Sequence, residues 1–125
     1  MKAEPTELDR EAAKLFRHEP GMRAWSAYCS GRVVNANPCE LRGEGYHEQN
    51  AQIIAIDTDD AGTVGAMLAQ LDERADVSIV DRRYSLPGED VRRFMAFADF
   101  ADGHQTFATG PTRGAALVAL ARQML

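Results

Sequence analysis

The chain reads as a small α+β protein, a two- or three-layer sandwich of three helices packed on an antiparallel sheet of three to five strands. Three observations predict that class. The half from Thr58 to Leu125 runs helix, hairpin, capped helix. The first twenty residues carry apolar side chains at helical spacing, and Gln52 to Asp57 is a short apolar run of strand length. Turn signals rather than long linkers separate these pieces, so one domain over residues 1–125 is expected: an N-terminal helix in 1–20, short irregular strands in 22–57 and a helix–hairpin–helix core in 58–125.

The elements follow in order. Thr6 caps the first helix, Glu7 and Asp9 meet the positive end of its dipole, and Leu8, Ala12, Leu15 and Phe16 share a face. Pro20-Gly21 stops it. Its mostly polar composition predicts a helix that lies on the surface or docks late. Trp25, Tyr28, Val33 and Val34 suggest strands near Ala24–Tyr28 and Arg32–Asn35, and Gln52–Asp57 predicts a strand buried on both faces. Thr58-Asp59-Asp60 caps a second helix with a stripe of Ala61, Val64, Met67, Leu68 and Leu71, and with Gln70 facing out. Gly62 and Gly65 weaken that helix by about 1 kcal/mol each relative to alanine, which predicts close packing at both.

Val77–Leu86 and Val91–Phe100 predict a hairpin turning at Pro87-Gly88-Glu89-Asp90. Its second strand is apolar on both faces, Met95 and Phe97 on one and Phe94, Ala96, Ala98 and Phe100 on the other, as in a central strand. Ala101-Asp102-Gly103 is a turn, and Gln105–Thr109 adds a third strand. Thr109 or Gly110 then caps the last helix, with Pro111 in its first turn and Leu117, Val118, Ala121, Met124 and Leu125 on its buried face.

Composition narrows the function classes. A hydrophobic share of 45% and a charged share of 26% describe a globular chain. No apolar run reaches membrane-span length, and Met1-Lys2-Ala3-Glu4-Pro5 has no secretory apolar core, so a cytoplasmic location without membrane association is expected. The net charge of −5 disfavours general nucleic-acid binding. Two cysteines, Cys29 and Cys39, read as free thiols in a reducing compartment.

Three motifs carry a resemblance: Glu7-Leu8-Asp9 opening the first helix, Thr58-Asp59-Asp60 before the second, and Thr109 to Leu120 (TGPTRGAALVAL) closing the chain. In this order of helices and meander the chain resembles the phage αβα-sandwich domain family, most clearly from Thr58 onward. The resemblance implies a phage or prophage setting and supplies no site residues.

Candidate sites are few. Cys29, Cys39, His47 and Glu48 hold ligand chemistry, yet ten-residue cysteine spacing and a lone histidine miss the zinc patterns, so no metal or cofactor is expected. A Cys29 or Cys39 nucleophile paired with His47 or His104 and oriented by Asp57 or Asp99 would need a thiolate-stabilising helix start, which neither cysteine precedes. Gly110, Thr112 and Arg113 offer amides, a hydroxyl and a guanidinium to an anion at a helix start, although ordinary capping explains them too. The hairpin places Arg83 opposite Arg93, with Arg82 and Arg92 adjacent, and like charges across a ladder call for an acidic neighbour or partner. Tyr46 and His47 lie in a polar loop suited to contact.

The expected function is therefore non-enzymatic: a phage or prophage accessory protein that binds a host or phage protein through Arg82, Arg83, Arg92, Arg93, Tyr46 and His47, and in one form inhibits a bacterial defence system. The alternatives are a small-ligand or nucleotide binder at Thr109–Arg113 and a Cys/His-dependent hydrolase. The oligomeric state is left open by the sequence.

Overall fold

The computed structural model describes residues 4–19, 21–26, 33–36, 53–86 and 89–125. They form α1 (Glu7–Leu15), β1 (Met22–Ser26), β2 (Val33–Ala36), β3 (Ile53–Ile56), α2 (Ala61–Asp72), β4 (Asp76–Leu86), β5 (Glu89–Asp99), β6 (Gln105–Gly110) and α3 (Arg113–Met124). The class is α+β, as the sequence predicts, but the strands divide into two antiparallel three-stranded sheets, ordered β2-β1-β3 and β4-β5-β6. The chain forms two compact units, Met1–Ala66 and Met67–Leu125, with the boundary inside α2.

In the first unit, Thr6 and Asp9 close a capping box: the Asp9 amide donates to the Thr6 hydroxyl at 3.2 Å, and the Thr6 amide donates to the Asp9 carboxylate at 2.9 Å. Asp9 has a second task. Its other oxygen accepts from the Thr58 amide at 3.0 Å and the Thr58 hydroxyl at 2.7 Å. Asp9, Ala12 and Phe16 are all buried, and α1 packs on β3. The helix is thus docked by the face that carries Ala12 and Phe16, with its other side in or near solvent, and the burial of Asp9 on the docked side is the feature that the polar composition does not reveal. It ends at Leu15, before Pro20-Gly21, because Phe16 already adopts extended backbone (φ −116, ψ 146) with its ring buried.

β1 is central to the first sheet, and its neighbours Ala24 and Trp25 are both fully buried, one towards each face. Among the described residues β3 lies at the edge of the sheet; Ala55 and Ile56 are buried while Ile53 and Ile54 are partly exposed, so burial on both faces holds only for its second half. The Asp57 amide donates to the Arg23 carbonyl at 2.7 Å beyond the strand end.

Asp60 begins α2. Its carboxylate accepts from the Thr63 amide at 3.0 Å and the Thr63 hydroxyl at 3.2 Å, and its carbonyl accepts from the Val64 amide at 2.9 Å. The buried positions are Thr63, Met67, Gln70 and Leu71, while Ala61 is exposed. The predicted stripe is therefore rotated. One reason is visible: the Thr63 hydroxyl accepts from the Arg23 amide at 2.9 Å, which turns that side chain inward. Gly62 is packed as predicted, since a Cβ there would overlap the Gly21 carbonyl oxygen. Gly65 is not: a Cβ there would meet nothing within 4 Å.

In the second unit β5 is the central strand, as its two apolar faces predict. The ladder with β4 runs without interruption from Asp76↔Asp99 to Leu86↔Glu89. Glu89 and Asp90 are paired strand residues, so the hairpin connection is shorter than the predicted four-residue turn. Gly103 takes φ +89 in the β5–β6 turn, a conformation that suits glycine, and its amide donates to the Phe100 carbonyl at 3.0 Å.

The part of this sheet that lies under α3 is lined by small residues. Ala96, Ala98, Ala108 and Gly110 are buried, and α3 lies against β5 and β6 with Ala115, Ala116, Leu117, Val118, Leu120 and Ala121 buried. A Cβ at Gly110 would stand 2.7 Å from the Ala116 nitrogen, so that glycine permits the close approach. Thr112, rather than Thr109 or Gly110, is the N-cap, and its hydroxyl accepts from the Ala115 amide at 3.1 Å. Met124 is partly exposed and Leu125 is 48% exposed, so the buried face of α3 stops a turn earlier than its apolar pattern suggests.

Candidate functional site

The second unit carries two surfaces with the make-up of contact sites. The first is the arm of the β4–β5 hairpin. β6 pairs only with Phe94–Asp99 of β5. The five rows from Arg82↔Arg93 to Leu86↔Glu89 therefore stand beyond it as a two-stranded ribbon. Two consecutive rows of that ribbon are Arg82↔Arg93 and Arg83↔Arg92. This corrects the expected pairing of Arg83 with Arg93: continuation of the ladder through Glu89 shifts the register by one residue and opposes both arginine pairs directly. Adjacent rows alternate between the faces of a ribbon, so each face holds one such pair. Like charges opposed in this way are destabilising by roughly 0.2–1 kcal/mol per pair. Asp81 and Asp90 stand in rows two away from the Arg83↔Arg92 row, on the same face. The Arg82↔Arg93 row is instead flanked by Val80↔Met95 and Tyr84↔Val91, with no carboxylate.

The second surface is the sheet face that alternates with the alanine face. Its rows, read along the strands, are Asp76–Asp99–Gln105, Ser78–Phe97–Phe107, Val80–Met95–Thr109 and Arg82–Arg93. Phe107 is 56% exposed and Val80 38% exposed, large values for apolar side chains in paired strands. The Phe97 and Phe107 rings lie 6.3 Å apart, tilted by 42°. At the acidic end the Gln105 side-chain amide donates to the Asp99 carboxylate at 2.6 Å. The sequence marks Met95 and Phe97 as sharing a side, but Phe107 and Val80 join them only once the register of both strand pairs is known.

The start of α3 is differently occupied. The Thr112 hydroxyl is engaged in the cap, and the Arg113 guanidinium lies 5.1 Å from the centre of the Phe94 ring, a cation–π arrangement. Gly110 is buried against α3. The groups proposed for an anion thus have partners within the fold.

Of the other candidates, Cys29, Cys39, Tyr46, His47 and Glu48 lie outside the described residues. His104 is exposed in the β5–β6 turn, where its ring meets Phe100 at 5.5 Å. Asp57 is buried, and its carboxylate accepts from the Asp59 amide at 3.1 Å. Among the described residues no group of three or more His, Cys, Asp or Glu side chains is placed to hold a metal ion, and no helix is long and apolar enough to cross a membrane. An open depression in the second unit is lined by Asp72, Arg74, Asp76, Asp99 and Phe100. There the Asp72 carboxylate accepts from the Val77 amide at 3.0 Å and ties α2 to β4.

Neither protein-family models, nor curated proteins, nor solved structures give a match to this chain.

Proposed function

We propose that the chain is a non-enzymatic binding protein that engages an acidic surface of a host or phage protein through the arm of its β4–β5 hairpin. The observation that carries this reading is the run of two directly opposed arginine rows on a ribbon that no third strand braces among the described residues. A protein with a net charge of −5 has acidic residues to spare, yet its arm concentrates four of its positive charges within two rows. Carboxylates of a partner would complement such a concentration, and that electrostatic complementarity speeds and orients association. Occlusion of the partner's own working surface is then sufficient for activity, and inhibition of a bacterial defence component fits the phage setting that the sequence resemblance implies.

The test is affinity capture from host lysate with the wild-type chain and with the double variant Arg83→Glu/Arg92→Glu. The expected result is a partner retained at low salt, released as ionic strength rises, and absent with the variant. A partner set that is indifferent to both the charge reversal and salt would overturn the reading.

A further inference from the structure

We infer that the open face of the second sheet is a self-complementary interface on which a second copy of this chain docks. The inference does not require the partner proposed for the hairpin arm, although it shares the Arg82↔Arg93 row with that arm. It rests on the order of those rows. An acidic row, Asp76 opposite Asp99, lies at one end and a basic row, Arg82 opposite Arg93, at the other, with two apolar-rich rows between them.

Each end row opposes like charges, which is unfavourable in an isolated sheet. A single operation relieves both. A two-fold axis lying between two facing sheets and running across their strands reverses the strand direction of the second copy. It sets the acidic row of one copy over the basic row of the other, and does so twice, as an isologous interface requires. The same operation lays the Ser78–Phe97–Phe107 row over the Val80–Met95–Thr109 row. Phe97 then faces Met95, a favourable sulfur–aromatic pairing, and Phe107 leaves water for the surface beside Thr109. An axis along the strands would instead oppose acid to acid and base to base. The charge pattern therefore selects one orientation, and it is compatible with the aligned packing usual for stacked sheets.

The exposures agree with this use. Phe107 at 56% and Val80 at 38% are two of the three large hydrophobic residues exposed among the described residues, and they share this one face. Asp76, Asp99 and Arg93 at its ends are exposed as well. Between end rows six residues apart the face is about 20 Å long, and across three strands about 10 Å wide. That is small against the ~800 Å² per partner of a standard interface. Self-association is therefore reversible and dependent on concentration.

Sedimentation equilibrium of the full chain over a concentration series tests the proposal. The wild type is expected to pass from monomer to dimer, and no further, as concentration rises. Phe107→Glu is expected to remain monomeric, with an unchanged circular dichroism spectrum because the side chain is already mostly in water. Arg93→Asp and Asp99→Arg are each expected to lose self-association, and the double variant carrying both to recover it, because the axis sets Asp99 of one copy over Arg93 of the other. Monomer throughout for the wild type up to about 1 mM, where binding would be worth only about 4 kcal/mol, overturns the proposal. So does a folded Phe107→Glu chain that dimerises as the wild type does, or a double variant no better than its singles. The Arg83→Glu/Arg92→Glu variant, altered on the opposite face of the ribbon, is expected to dimerise normally. Loss of partner capture and loss of dimer are thus read separately.

Discussion

The hydroxyl of Thr58 donates to the carboxylate of Asp9 at 2.7 Å across forty-nine residues of chain, and the Thr58 amide donates to the same oxygen at 3.0 Å. Asp9 therefore works in two directions at once. One oxygen completes the N-terminal cap of α1, and the other fixes the chain just after β3, the strand on which α1 packs. A fully buried carboxylate is tolerated only when such donors replace its lost hydration.

Asp9→Ala is expected to lower unfolding stability by about 3 kcal/mol or more, because it strands three donors and opens a small void. Asp9→Asn keeps the shape but turns an amide NH₂ towards a donor at one of the two oxygens, so a loss of about 1–3 kcal/mol is expected. Urea denaturation of both variants checks the order. Equal stability of Asp9→Ala and the wild type would mean that the Thr58 contact carries no weight.

The two glycines of α2 are expected to respond in opposite directions. At Gly62 an added Cβ overlaps the Gly21 carbonyl, so Gly62→Ala is expected to cost about 1–3 kcal/mol through forced displacement. At Gly65 the space is open, and Gly65→Ala is expected to stabilise by about 0.5–1 kcal/mol through helix propensity and a less flexible unfolded chain. Melting temperatures of the pair, measured side by side, decide the matter by sign alone.

At the start of α3, Thr112→Ala removes the acceptor for the Ala115 amide and is expected to lose about 1 kcal/mol. Thr112→Ser keeps the hydroxyl and is expected to lie within about 0.5 kcal/mol of the wild type. If the alanine variant proved as stable as the serine variant, the helix would not depend on this cap.

Arg113 lies over Phe94, so Arg113→Ala is expected to lower stability by about 0.5–1 kcal/mol, while Arg113→Lys recovers part of that loss. A thermal-shift titration with inorganic phosphate bears on the same residue. If Arg113 served chiefly as an anion ligand, phosphate would raise the wild-type melting temperature and leave that of Arg113→Ala unmoved.

Local signals made much of the fold legible. The cap at Thr6, the central character of Phe94–Phe100 and the turn at Ala101-Asp102-Gly103 all rest on neighbours within a few residues, where periodicity and capping rules act. What escaped depended on partners distant in sequence. Asp9 looks like an ordinary first-turn acid until Thr58 is brought to it. Gln70 looks solvent-facing because the helical stripe was phased on aliphatic residues alone, whereas the fold phases it on Thr63, which bonds Arg23. The division into two sheets was hidden for the same reason, since β1 pairs with β3 across a long intervening segment. For the candidate surfaces, the four arginines were visible as a cluster, but their opposition in two rows hangs on a single residue of register. The patch formed by Val80, Met95, Phe97 and Phe107 needed all three strands aligned before it existed as a surface.

The alanine and glycine lining beneath α3 divides the freedom to vary along one strand into alternate residues. At Ala96 or Ala98 any larger side chain must lever a whole helix away from its bed, so these sites are closed to change. At Met95 and Phe97, half-buried and one step along the same backbone, a substitution leaves the bed of α3 untouched and alters chiefly what the protein offers to its surroundings. The outward half of β5 is accordingly where new binding preferences can arise at the smaller cost to the fold, while its inward half keeps the scaffold constant.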